Sequence, residues 1–255
     1  MKLFKTILRV VLVLSIIVFT VLAIINRQNR SCTGVVVSID YKGENNILSE
    51  NDIIQLIASA NIKTSHEKLK TIQLEQIKKV LNKEIYIKKI NKIYFSGTKL
   101  MIDVSLREML LHVFPINQSP FFVDMDGIMI PNSAKIKEKL IIVNGTFNTH
   151  FKQLEKISPK EPVLNSIYQI ATKIKNDPFL NENFKQIYVN EQRVIELVPI
   201  NGSLTILFGD EVDAQEKFFK IKEIYTNVLP YSADKKYSLI DVRFKNRVIA
   251  KKANI

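Results

Sequence analysis

The sequence has no tryptophan, one cysteine and only seven glycines in 255 residues. A lone cysteine, Cys32, excludes an intramolecular disulfide and any zinc site built on paired thiolates. So few glycines leave little material for a glycine-rich phosphate cradle. His66, His112 and His150 share no local metal-ligand spacing, and no H-E-x-x-H is present. Neither a metal nor a cofactor is expected. With 46% hydrophobic and 24% charged residues, the chain is neither collagenous nor wholly disordered.

The net charge of +12 is unevenly spread. Residues 1–30 hold five Lys/Arg and no acid, and residues 61–100 hold ten Lys against Glu67, Glu75 and Glu84. The basic stretch Lys63–Lys99 reads as a solvated face, with attraction to anionic headgroups or an acidic partner as its functional alternative. Nucleic acid is not an expected partner, because the stretch is expected to lie outside the membrane.

The longest apolar run lies at the amino terminus. Between Thr6 and Ile25 the only charged side chain is Arg9. The sixteen residues Val10–Ile25 span about 24 Å as a helix, slightly short of a ~30 Å hydrocarbon core, so a span of 6–26 requires Arg9 to snorkel to the interface. A basic start and an apolar run also describe a secretory signal peptide, and Val21-Leu22-Ala23 weakly fits a cleavage site. The run continues through Ile24-Ile25, however, which favours an uncleaved anchor. Residues 1–5 are then a cytoplasmic tail, and the remaining ~225 residues lie outside, since Lys2, Lys5 and Arg9 slightly outweigh Arg27 and Arg30.

Past the anchor, the pattern predicts an α+β protein in two parts, 33–107 and 108–255. In the first, Val35–Tyr41 is a β-branched strand ending at Lys42-Gly43. Ser49-x-x-Asp52 has the form of a capping box for a helix carrying Ile53, Leu56, Ile57 and Ala60. Thr71 is the expected cap of a second helix with Ile72, Ile77, Val80 and Leu81. Ile85–Phe95 and Lys99–Leu106 complete a β-α-α-β-β unit. The second part is strand-rich. Phe121–Met125 and Ile128–Ile130 flank Asp126-Gly127, a type I′ turn signal. Leu140–Val143, Phe184–Val189, Val194–Val198 and Leu204–Phe208 are further strands. Two helices are expected, one opened by Pro162 and one capped by Asp210, before closing strands at Tyr237–Phe244 and Arg247–Ala250.

The sharpest catalytic-looking string is Phe121-Phe122-Val123-Asp124-Met125-Asp126-Gly127, which is similar to the nucleophile motif of haloacid-dehalogenase-type phosphatases. There the first Asp attacks phosphorus and the second acts as acid and base with Mg²⁺. Ile128 replaces the usual Thr, the motif sits mid-chain and the flanks read as a hairpin. In addition, Gly209–Asp213 is one residue short of the closing acidic motif. The string is read as a turn, and no catalytic residue and no small-molecule substrate are expected.

An anchor, a β-α-α-β-β unit and a strand-rich domain together resemble the FtsQ/DivIB bacterial cell-division family, the small unit resembling its POTRA domain. Three strings carry the likeness: Leu100–Arg107, leading into the second domain; Phe122-Val123-Asp124-Met125-Asp126-Gly127-Ile128-Met129-Ile130-Pro131, like the family's "vD-x-x-G…P"; and Ser238–Phe244, like its terminal "iDlRy/f". One departure is Met109, where the family often has proline. The resemblance implies a non-enzymatic, single-pass scaffold of the bacterial inner membrane. Its carboxy-terminal portion would be periplasmic, and it would act at the division septum in assembling or regulating septal wall synthesis. It also implies partners like the small bitopic proteins FtsB and FtsL, which in the family add a strand beside the carboxy-terminal strand and lay a short helix nearby. By position, Leu239, Asp241, Val242, Arg243 and Phe244 are the implied contact residues, with Arg193 as the helix-contacting one. The strand Ser238–Phe244 is then expected to be an unpaired sheet edge. A POTRA component of secretion or outer-membrane assembly is the alternative scaffold reading.

Overall fold

The apolar run folds as one helix, α1 (Lys2–Asn29), with no acid in its first turn and Arg27 in its last. The stretch Val11–Asn29 is long and apolar enough to cross a membrane, and none of it is buried. The computed structural model describes residues 2–41, 47–137, 139–200, 204–231 and 237–253. The chain forms two compact units, Met1–Arg107 and Glu108–Ile255.

After α1, the first unit runs β1 (Gly34–Asp40), α2 (Glu50–Ser59), a 3₁₀ turn (Leu69–Thr71), α3 (Leu74–Leu81), β2 (Ile87–Ser96) and β3 (Lys99–Leu106). The sheet order is β1-β3-β2, with β1 parallel and β2 antiparallel to the central strand. Alternation along β3 buries Leu100, Ile102, Val104 and Leu106, and Ile53, Ile57, Ile77 and Leu81 from α2 and α3 are buried as well. The Ser49 hydroxyl accepts from the Asp52 amide at 3.2 Å while the Asp52 carboxylate accepts from the Ser49 amide at 2.7 Å, a complete capping box. The strand end expected at Lys42-Gly43 lies outside the described residues.

Thr71 behaves differently from its expected role. It closes the 3₁₀ turn, its hydroxyl donates back to the Lys68 carbonyl at 2.7 Å, and α3 begins after Gln73 without a side-chain cap. A hydroxyl committed to a preceding carbonyl cannot receive the first amides of the next helix. The segment just after α1 is held by a short ladder. The Cys32 amide donates to Glu67 at 2.8 Å, the His66 amide to Cys32 at 2.9 Å and the Leu69 amide to Arg30 at 3.0 Å. This ladder buries Cys32 completely.

The second unit contains β4 (Met109–Val113), β5 (Phe121–Asp124), β6 (Met129–Pro131), β7 (Ile141–Gly145), α4 (Pro162–Asn176), α5 (Pro178–Asn183), β8 (Phe184–Val189), β9 (Ile195–Pro199), β10 (Thr205–Gly209), α6 (Ala214–Glu223), β11 (Tyr237–Asp241) and β12 (Ile249–Lys252). Its strands form one sheet in the order β12-β11-β10-β9-β8-β7-β4-β5-β6. Alternate residues such as Val113, Val143, Ile187, Leu197 and Phe208 share one buried cluster with Ile167, Ile170 and Ile174 of α4 and Phe218 and Ile221 of α6. Each such side chain contributes about 1.5–3 kcal/mol by leaving water.

The second unit departs from the sequence pattern in several places. β4 was not expected as a strand: Met109, Leu110, Leu111 and Val113 are all buried, so the two-residue alternation that marks a half-buried strand is missing. A third helix, α5, follows α4 directly, its first turn capped by the Asp177 carboxylate accepting from the Leu180 amide at 3.2 Å. Asp210 does not cap α6, which starts after Asp213; its carboxylate instead accepts from the Lys217 ammonium at 2.9 Å and the Val212 amide at 3.1 Å.

The β5–β6 connection is a three-residue loop rather than a type I′ turn. Of its residues only Gly127 has positive φ, at 78°. The Gly127 amide donates to the Asp124 carbonyl at 2.9 Å and the Asp124 amide to the Ile128 carbonyl at 3.0 Å, the pattern of a type I turn closed by a left-handed glycine. Inside the loop the Asp124 carboxylate accepts from the amides of Asp126 at 2.9 Å and Ile128 at 2.8 Å. We expect Asp124→Asn to leave the unfolding midpoint nearly unchanged, since one oxygen can serve both amides. Asp124→Ala should cost about 2 kcal/mol in denaturant unfolding. Equal losses in the two variants would show that the negative charge, not the acceptor, holds the loop.

At Gly145, φ is +117° and a Cβ would lie 2.1 Å from the Val189 carbonyl oxygen, where β7 ends against β8. Gly145→Ala should therefore destabilise by about 2–4 kcal/mol. Denaturant unfolding that shows no loss would refute the close approach.

Candidate functional site

An open sheet ends in two strands whose outer backbone groups need partners. At the β6 end the chain supplies its own. The Met129 amide donates to Glu155 and the Leu154 amide to the Met129 carbonyl, both at 2.9 Å, and the Ile157 amide reaches Gly127 at 2.9 Å. Ile128 bridges Lys156, and Pro131 has no amide to satisfy. The other end is different.

The expected edge, Ser238–Phe244, is not an edge. β11 pairs in parallel with β10, placing Leu239 opposite Thr205 and Ile240 opposite Ile206. On its other side it pairs antiparallel with β12, placing Leu239 opposite Lys251 and Asp241 opposite Ile249. The chain's last strand therefore occupies the position assigned to a partner. The terminal strand of the sheet is β12, whose four residues are all exposed. The sequence signal for this lay in the spacing: a closing turn over 244–248 is long enough to bring 249–252 back along β11.

The implied contact residues divide by burial. Val242 is fully buried and Ile240 nearly so; both belong to the core cluster, so Val242 serves the fold. The Val242 amide is also used, donating to Leu207 at 3.1 Å. Leu239 is half-buried and Arg243 exposed. Asp241 is 5% exposed, and its carboxylate receives two guanidinium bonds from Arg243, at 2.9 Å from Nε and 2.6 Å from Nη2, and the Arg243 amide at 3.1 Å. Burial pushes the Asp241 pKa up, but these bonds to Arg243 outweigh it and hold the carboxyl below its usual range. The same bond raises the Arg243 pKa. Asp241 thus orients Arg243 and is itself sequestered.

Phe244 is half-buried between two cations, with the Arg243 guanidinium 5.7 Å and the Arg247 guanidinium 4.5 Å from its ring centroid. Two residues absent from the sequence reading fix this turn. Lys220 of α6 donates to the Phe244 carbonyl at 2.8 Å and pairs with Glu216 at 2.6 Å, while Glu216 accepts from the Asn246 amide at 3.2 Å. The Lys220 bond keeps the Glu216 pKa low. Nothing in the sequence marks these residues, because an i,i+4 Glu–Lys pair is ordinary on any exposed helix face. Beside them lies a polar cavity of about 210 Å³ lined by Asp210, Glu216, Lys217, Lys220, Arg243 and Lys245 among others.

Arg193 is exposed, with φ at 59°, in the turn joining β8 to β9. Ile195 pairs with Gly209, and Gly209 sits against the Arg243 stem, so the register sets the β8–β9 turn at the end of the sheet where β10 and β11 finish. The two carboxylates of the phosphatase-like string do not form a common site: Asp124 is buried inside its own turn and Asp126 is exposed. Among the described residues no group of His, Cys, Asp and Glu is placed to hold a metal ion.

No curated protein matches the sequence. Two family models do, a POTRA-like domain over residues 30–105 and the FtsQ/DivIB, C-terminal related family over residues 109–251. The second match covers more than half of the chain and takes in the whole sheet from β4 to the start of the closing lysines, and α1 supplies one helix able to cross a membrane. The chain belongs to the FtsQ/DivIB family of membrane-anchored cell-division scaffold proteins.

Proposed function

We propose that this protein is a divisome scaffold that binds small bitopic FtsB- and FtsL-like proteins by strand addition at β12, and through them helps assemble or regulate septal wall synthesis. The observation that carries the reading is the asymmetry of the sheet. Its β6 end is covered by the chain's own backbone, whereas β12 is exposed along its whole length. Backbone pairing to an added strand supplies affinity, and side chains around the strand supply specificity. Exposed Val248 and Ile249 offer apolar contact beside the edge, and Lys251 and Lys252 discourage pairing with wrong strands. Of the residues implied by the resemblance, Leu239, Arg243 and Phe244 remain available around this edge, and Arg193 is available to a helix laid at the same end of the sheet. No catalytic step enters this reading.

A half-buried aromatic held between two guanidiniums suits an interface anchor, for which truncation or charging costs about 2 kcal/mol or more. Binding of the full-length protein to the co-purified bitopic partner should therefore weaken at least about thirtyfold in Phe244→Glu, with an unchanged melting temperature. Equal affinity in wild type and variant would remove the assignment, and a collapsed melting temperature would return Phe244 to the core.

The same reading puts the amino terminus in the cytoplasm and the chain after α1 in the periplasm, on the basic residues that precede the apolar run. A reporter active only in the periplasm, fused after Ile255, should work. Activity of a cytoplasm-only reporter at that position would reverse the orientation.

A further inference from the structure

Ile24, Arg27 and Gln28 stand three and four residues apart and share one face of α1. Facing them in the first unit are Leu69 and Lys70 from the 3₁₀ turn and Phe95 near the end of β2. Together these six side chains line a cavity of about 450 Å³. The Arg27 guanidinium donates to the Phe95 carbonyl at 3.2 Å, which fixes it at the cavity wall. The backbone ladder of Arg30 and Cys32 with His66, Glu67 and Leu69 fixes the opposite wall to the end of the helix. The cavity is thus part of one folded unit.

We propose that this cavity binds an anionic phospholipid, its headgroup phosphate between Arg27 and Lys70 and the upper part of its tails against Ile24, Leu69 and Phe95. The lining holds two cations, one amide and three apolar side chains, with no carboxylate. Ile24 belongs to the last turn of the apolar run, and Arg27 follows about 4.5 Å further along the axis. The two halves of the cavity therefore meet at the boundary between hydrocarbon and headgroups. A free phosphate matches only the cationic half and an apolar ligand only the other, whereas a lipid with a charged head matches both. The surroundings carry the same sign: Lys68 bridges Ser31 just beyond α1, and Lys99 pairs with Gly34 at the start of β1. The acidic side chain on that ladder is Glu67, outside the lining. Basic residues at a membrane surface attract anionic lipid additively. The excess of lysine in residues 61–100 thereby gains a specific point of attachment. This site is independent of the β12 edge and stands whether or not a partner strand binds there.

The test is native mass spectrometry of the full-length protein released from nanodiscs of mixed phosphatidylglycerol and phosphatidylcholine. Wild type should retain phosphatidylglycerol in clear preference. Arg27→Gln/Lys70→Gln should lower that preference about tenfold or more. Lys78→Gln/Lys79→Gln, which removes the same charge outside the cavity, should leave it unchanged. All four side chains are exposed, so neither variant opens a packing defect, and an unchanged melting temperature of Arg27→Gln/Lys70→Gln controls for loss of the Arg27 bond to the Phe95 carbonyl. Equal retention of the two lipids by wild type would overturn the proposal. An equal drop in both double variants would overturn it in favour of a diffuse basic surface, and displacement of the lipid by inorganic phosphate in favour of a simple anion site.

Discussion

A β-sheet that does not close on itself must dispose of two rows of backbone amides and carbonyls, and the second unit does so unequally. At one end the segment Leu154–Ile157 runs beside β6 and takes up its hydrogen bonds, and Pro131 removes a donor that would otherwise need one. At the other end β12 is exposed over all four residues and carries two lysines. Leaving a row of backbone groups in water costs little, but it invites pairing with other chains. One edge is exposed and the opposite edge is covered, and the proposed function rests on that difference.

The position of that edge depends on contacts some distance from it in sequence. β12 can lie against β11 only if the chain reverses over residues 244–248. The reversal is pinned from α6, where Glu216 and Lys220 hold the Asn246 amide and the Phe244 carbonyl. Asp241 contributes from the other side by fixing Arg243 in a two-bond fork, and Arg243 in turn covers one face of Phe244. Ion pairs at a surface are individually weak. Here they converge on the turn whose geometry decides which backbone groups face outward.

Much of this architecture was legible in the sequence, and the exceptions have local causes. The Ser49–Asp52 capping box, the alternation of Lys99–Leu106 and the Pro162 helix start are patterns in which the side chain itself does the structural work, so they survive folding unchanged. Thr71 and Asp210 misled because a hydroxyl or carboxylate near a helix start has competing uses: a preceding carbonyl for one, the Lys217 ammonium for the other. β4 was silent because a strand buried on both faces shows no alternation. The candidate site was legible as a neighbourhood and not as an edge. The string Ser238–Phe244 marks the right region and a closing strand is expected at Arg247–Ala250, two residues before β12, but the edge was assigned to the wrong member of this hairpin because four exposed residues show no alternation that fixes their pairing.

Recognition through a sheet edge, as proposed, would call for no chemistry-bearing side chains. Backbone groups are present at every residue, so an edge needs no invariant nucleophile, no metal ligands and no deep apolar pocket. What it does need is an unpaired row held flat by a well-packed sheet, with side chains at its margin that accept one partner and repel others. The fully buried Val242 and the nearly buried Ile240 hold β11 and its end against the core, while Phe244 and its two arginines lie on the turn that follows. The buried residues of the closing string therefore set the geometry on which its exposed residues act. Residues of both kinds interleave within seven positions because β11 is the last strand of the sheet with neighbours on both sides.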